Sequence, residues 1–156
     1  MTAIRKVYDM NDRQNTENSQ NWQHFNHAAD IGIRGIAKSL EHAFEYAAYA
    51  MTAVMIDPKK IPQNQNISII AQATDLELLL VDWLSEIIYL SDTKKMLFSR
   101  FKVQIDRFRL KAQISGAPIS KCSAKPAVEV KGVTYAELLV KQNKNGLWIA
   151  QCVLDV

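Results

Sequence analysis

At 156 residues the chain suits one domain, long enough to bury most of the surface that its unfolded form exposes. A formal charge of +3 is too mild to argue by itself for a nucleic-acid partner, and no run approaches the roughly 18 apolar residues of a membrane span. Two cysteines, Cys122 and Cys152, show neither CxxC spacing nor another metal-ligand pattern, so they read as reduced thiols of a cytoplasmic protein, with a disulfide left open.

The chain opens on a polar, aperiodic stretch that includes "DMNDRQNTENSQN" and is rich in Asn and Gln. It predicts a disordered tail over 1–21 and an ordered domain over 22–156, and it is too polar to hold the apolar region of a signal peptide. "WQHFN" and "IGIRGI" then alternate over short spans, and Gly32 and Gly35 mark a bend, a bulge or a close backbone contact. In "KSLEHAFEYAAYAMTAVMID" the apolar residues Leu40, Ala43, Phe44, Ala47, Ala48, Met51, Val54 and Met55 recur every three or four positions, as on one face of a helix. Ser39 is its expected N-cap, Glu41 suits the positive first turn, and Pro58 marks the stop. Its methionines and aromatics read as core.

After the loop "DPKKIPQNQ" and the isoleucine-rich "NISIIAQA", a second helix is expected in "TDLELLLVDWLSEIIYLS", with Thr74 and Glu77 as a capping box. Its apolar side, from Leu76 through Trp83 to Leu90, is broad enough to require more than one neighbour. Asp82 and Glu86 share a face four residues apart, a spacing that suits a metal pair but more commonly a solvated or partner-docking face.

The remainder reads as strands. "LFSRFKVQI" and "RFRLKAQI" alternate and turn at Asp106-Arg107, "SGAPISKCSAKP" reads as a loop, and "VEVKGVTYAELLV" joins "LWIAQCVLDV" through the turn signal Asn145-Gly146. Lys94, Lys95, Arg100, Lys102, Arg107, Arg109 and Lys111, opposed only by Asp106, form a local basic surface: the solvated face of a strand pair, or an RNA or phosphate groove. Strands flanking two helices with few β-α-β alternations predict an α+β two-layer sandwich, a mixed or antiparallel sheet with both helices on one face.

No GxGxxG, Walker loop, HExxH or nucleophile elbow is present. Three separated segments remain: "FNHAADIGIRG" with His27 and Asp30, "VEVKGVTYAEL" with Lys131, and the terminal "VLDV". Together with "SLEHAFEYAA" and "DLELLLVDWLSEIIYL", in this order over roughly residues 22 to 156, they resemble the archease family. Ala28 stands where that family has threonine, and Ala136 follows "VTY" where a histidine is common.

The resemblance implies a divalent-cation site of Asp30, Asp155 and the final residue Val156, with Lys131 nearby as a cofactor-binding residue. Three negative charges against one lysine agree with it, since unit charges about 4 Å apart repel by about 4 kcal/mol at an effective dielectric near 20. All-oxygen ligation favours Ca²⁺, Mg²⁺ or Mn²⁺. Without the resemblance, Asp155 reads as a solvated residue at a chain end and Lys131 as its exposed partner. His27 is expected to support the site through hydrogen bonds rather than as a ligand.

The family also implies a non-catalytic accessory factor for the GTP- and Mn²⁺-dependent RNA-splicing ligase (RtcB family), which joins a 3′-phosphate or cyclic phosphate end to a 5′-hydroxyl. The factor promotes guanylylation of the ligase between turnovers, with indirect contact with RNA or GTP at the ligase site left open. Two other classes stay open: a stand-alone metal-dependent phosphohydrolase or nuclease, and a chaperone-like modulator of RNA-modifying enzymes.

Overall fold

The computed structural model describes residues 21–156. The tail expected over 1–21 lies outside the described residues except for Asn21, which already belongs to the first strand. The order is β1 (Asn21–His27), β2 (Asp30–Ala37), α1 (Leu40–Met55), a 3₁₀ turn (Pro58–Lys60), β3 (Gln65–Gln72), α2 (Leu76–Lys94), β4 (Met96–Asp106), β5 (Arg109–Pro118), a second 3₁₀ turn (Ile119–Lys121), β6 (Gly132–Gln142) and β7 (Trp148–Asp155). Among the described residues no helix is long and apolar enough to cross a membrane.

The class is α+β, as expected, but the strands divide into two antiparallel sheets. One has the order β1-β2-β7-β6 and the other β3-β5-β4. The helices explain the division. Leu79, Leu80, Trp83, Leu84, Ile87 and Leu90 are all buried and occupy a wide arc of α2, more than one sheet face can cover. Each helix packs on strands of both sheets, α1 on β2, β7 and β4, and α2 on β6, β3 and β5. One continuous core results, with Ile33 and Leu154 of the first sheet, Ile114 of the second, Phe44 and Met51 of α1 and Trp83 of α2 all fully buried. Burial of each such side chain contributes roughly 1.5–3 kcal/mol. The Trp83 indole N–H donates to the Phe44 carbonyl at 3.0 Å, which lets the largest side chain enter the core without an unmet donor.

Gly35 is where α1 touches β2: a Cβ there would run into the Ala43 carbonyl and the Ala47 amide. At Gly32 the same atom would meet the Phe25 ring. Both glycines therefore serve close contact rather than a bend. Ser39 caps α1 as expected, its hydroxyl accepting from the His42 amide at 3.1 Å.

The cap of α2 is Asp75 rather than Thr74. The Asp75 carboxylate accepts from the Leu78 amide at 2.8 Å, and an ionised cap is favoured by the helix dipole. Glu77 is drawn away from a capping box towards the Val140 amide of β6, at 3.4 Å. β5 continues to Pro118, through residues expected to form a loop, because Gly116 lies against the Leu97 backbone beside a bulge between Phe98 and Arg100. Cys122 and Cys152 are both free thiols.

Candidate functional site

β2 and β7 are the central strands of the four-stranded sheet, so the last strand of the chain is flanked on both sides. This explains the apolar run of "WIAQCVLDV": Ala150, Cys152 and Leu154 face the helices, and Gln151 and Val153 are buried on the opposite face as well. Only the last step of the strand leaves the core, where Asp155 is exposed.

The register then sets the neighbours of Asp155. Ile31 pairs with Leu154, so one step further along the two strands Asp30 lies beside Asp155, where antiparallel Cα atoms are about 5 Å apart. On the far side of β2, His27 pairs with Asp30; on the far side of β7, Gly132 pairs with Asp155. A single row across the sheet end therefore reads His27, Asp30, Asp155, Gly132, and side chains in one row share a face. At Gly132 a Cβ would meet nothing within 4 Å, so the row ends in open space.

Each sequence-derived site residue can be placed against this row. Asp30 is half-buried at the start of β2, directly after a two-residue turn in which Ala28 takes φ 53°. Asp155 is exposed, and its carbonyl accepts from the Lys131 amide at 2.8 Å. That bond brings Lys131 next to the chain end by its backbone. Its side chain is exposed, and among the described residues it forms no ion pair with either aspartate. Val156 packs its side chain against the core, which anchors the terminal residue beside the row. Asp82 is exposed on α2 and Glu86 half-buried.

Were the two carboxylates as close as these Cα atoms, about 5 Å, they would repel by about 1 kcal/mol in water and about 3 kcal/mol at an effective dielectric of 20. The exposure of Asp155 puts the pair towards the lower figure. Among the described residues, no three His, Cys, Asp or Glu side chains converge as a ready-made metal cluster.

The row contains one further group. Nδ1 of His27 is buried with no hydrogen-bond partner, as are Asn21 Oδ1 and Gln23 Nε2 further along β1. A buried nitrogen without a partner, in the same row as two carboxylates, is a group that a bound cation or its water shell would satisfy. Asp30, Asp155 and an unmatched imidazole nitrogen thus line one end of the sheet beside Val156, without forming a ready-made cluster among the described residues. The sequence placed His27 in this segment but offered no sign of its orphaned atom, which only burial reveals.

The next rows of the same face are closed by side chains. The Arg34 guanidinium lies 4.7 Å from the Phe25 ring centre and donates to Gln23 Oε1 at 2.7 Å and Gln151 Oε1 at 2.8 Å. Gln151 in turn donates from Nε2 to the Glu137 carbonyl at 2.9 Å. Glu137 lies within a bulge of β6, where three extra residues separate the Thr134–Val153 pair from the Leu139–Gln151 pair. Ala136 lies in this bulge with its amide on the Thr134 hydroxyl at 3.2 Å, and Tyr135, in the same bulge, is 69% exposed. The alternation of "VEVKGVTYAELLV" gives no hint of this interruption.

Comparison with known proteins follows the same segments. The archease protein family matches residues 22–156. The protein archease of Pyrococcus furiosus is 36% identical over 136 residues, covering 85% of this chain and 96% of its own length. The solution structure of Methanobacterium thermoautotrophicum protein 1598 superimposes with a TM-score of 0.78 at 32% identity, over 88% of this chain and 100% of that one. A crystal structure from Thermotoga maritima, described as an archease and possible chaperone, has a TM-score of 0.56 at 18% identity over 83% of this chain and 93% of that one, and so shares the fold.

Proposed function

The chain belongs to the archease family, and from that premise we propose that it is an accessory protein of the GTP- and Mn²⁺-dependent RNA-splicing ligase (RtcB family). It promotes guanylylation of the ligase and so allows repeated turnover. The observation that carries this reading is the register of β2 against β7, whose last pair, Ile31 with Leu154, brings Asp30 and Asp155 side by side at the end of the sheet.

Asp30, Asp155 and the terminal carboxylate of Val156 would hold a divalent cation, Ca²⁺, Mg²⁺ or Mn²⁺, with Lys131 and His27 at its border. Such an ion, when bound, supplies positive charge for phosphate oxygens. The chain's own residues do the rest. β2 and β7 hold the two aspartates in register, the core contact of Val156 steadies the end of β7, and Tyr135, exposed in the β6 bulge of the same sheet, offers a ring to a partner surface. An acidic corner of this kind suits docking at the mouth of an active site that handles GTP and metal.

The experiment is a ligation assay with limiting ligase, GTP and Mn²⁺. With this chain present, product is expected to exceed one joined RNA per ligase molecule; with the Asp30→Ala, Asp155→Ala double variant it is expected to fall back to about one. Equal turnover with the double variant would refute the proposal. The chaperone reading, which the description of the Thermotoga relative favours, requires an uncovered apolar surface. Most of the apolar side of α2 is in the core, with Leu78 and Tyr89 its exposed large residues, so the accessory reading is preferred.

A further inference from the structure

The outward face of the three-stranded sheet is a second, separate surface. Its rows across β4, β5 and β3 read Lys102, Gln113, Ser68, then Gln104, Lys111, Ile70, then Asp106, Arg109, Gln72, all exposed. Arg100 begins the row before them, and both helices pack on the opposite side of this sheet. Four cations thus stand on one face with Asp106 as its single acid. Same-face residues along a strand are about 6.8 Å apart and neighbouring strands about 4.8 Å, which makes the cations a regular array rather than a cluster. A depression of about 540 Å³ borders these strands, lined by Lys102, Lys111, Gln113 and Ile70 among others and reached by His42 and Glu45 of α1. Glu45 of α1 reaches its rim, but its carboxylate is engaged by the Val103 amide and by His42, each at 2.8 Å.

We propose that this face binds single-stranded RNA. Charge complementarity with a phosphate chain is the first argument, and the amide and hydroxyl groups between the cations, which can bond phosphate and sugar oxygens, are the second. The third is Phe108 at the β4–β5 turn, 45% exposed, whose ring can stack on an unstacked base, with Ile70, 64% exposed, adding aliphatic surface. A protein partner fits less well, because interface cores are apolar and poor in lysine, whereas Ile70 and Phe108 are the only large apolar side chains exposed here among the described residues. The choice of RNA over DNA rests on the proposed ligase role; the attraction for a single-stranded polyphosphate does not.

The test is fluorescence anisotropy of a labelled 20-nucleotide RNA with the full chain and no ligase present, so that its failure leaves the ligase reading standing and the reverse. Four phosphate contacts predict a log–log salt slope of about −2.8, or about 50-fold weaker binding at 200 mM than at 50 mM salt. A variant carrying Arg100→Gln, Lys102→Gln, Arg109→Gln and Lys111→Gln is expected to lose binding. A control with the same loss of charge elsewhere, Lys121→Gln, Lys125→Gln, Lys141→Gln and Lys144→Gln, is expected to keep the slope, and Phe108→Ala to bind about tenfold more weakly. The proposal is overturned if both quadruple variants bind alike, if DNA of the same sequence binds more tightly, or if phosphatidylserine vesicles and not RNA retain the chain.

Discussion

Replacing Asp155 by asparagine separates the two states that the Asp30–Asp155 pair can occupy. The side chain is exposed and the ladder bond at this position comes from its carbonyl, so the Asp155→Asn variant preserves the backbone and removes one charge. Like charges directly opposite each other across strands destabilise by roughly 0.2–1 kcal/mol. In EDTA the variant is therefore expected to be the more stable protein, with a Tm up to about 2–4 °C above the parent for a chain of this size. With a cation at 100 times its dissociation constant the parent gains about 2.7 kcal/mol, and the variant, having lost a ligand, gains little. The order then reverses, the parent lying several degrees above. Thermal unfolding followed by circular dichroism, in EDTA and then in millimolar Ca²⁺, Mg²⁺ and Mn²⁺, reads the crossing directly, and Asp30→Asn should repeat it. If neither variant changes the cation response of the parent, the two aspartates do not share an ion.

Three further outcomes follow from packing, capping and burial. Gly35→Ala places a methyl group against the Ala43 carbonyl and the Ala47 amide, so α1 has to move off β2; a loss of about 2–3 kcal/mol in urea titrations is expected, and a change under 0.5 kcal/mol would show that the contact is loose. Asp75→Ala should cost about 1 kcal/mol while Thr74→Ala stays within about 0.5 kcal/mol, and the opposite ranking would restore Thr74 as the cap. Burial pushes the Cys152 thiol up to about 12, so at pH 8 roughly one molecule in 10⁴ carries its thiolate; native protein should react with a thiol reagent at Cys122 alone, and at two sites in guanidinium chloride. Equal native rates at both cysteines would contradict the packing around Cys152.

Helices were legible where periodicity and capping act locally. The apolar stripe of α1 and its Ser39 cap can be read from adjacent residues, and both are present. Thr74 failed as a cap because two candidate residues stand side by side, and the contest is settled by a distant strand: Glu77, needed for the capping box, is placed at the Val140 amide of β6. The strand segments were also legible, since alternation is local. Their division into two sheets was not, because it depends on how much of each helix has to be covered and from which side, a property of three-dimensional packing.

The site divides along the same line. Asp30 and Asp155 are 125 positions apart, and nothing in composition or spacing joins them; family resemblance supplied the connection, and antiparallel register supplies its physical form. Ile31 opposite Leu154 fixes the phase of β2 against β7, and a slip of one residue would turn Asp155 onto the helix-covered face and Leu154 into water. The core therefore enforces the alignment of the carboxylates: the fully buried Ile33, Cys152 and Leu154 hold the register that carries two like charges side by side. Two aspartates held in register by the interior of the fold, with a buried imidazole nitrogen in the same row and open space at Gly132, form an acidic sheet end that a bound cation would suit.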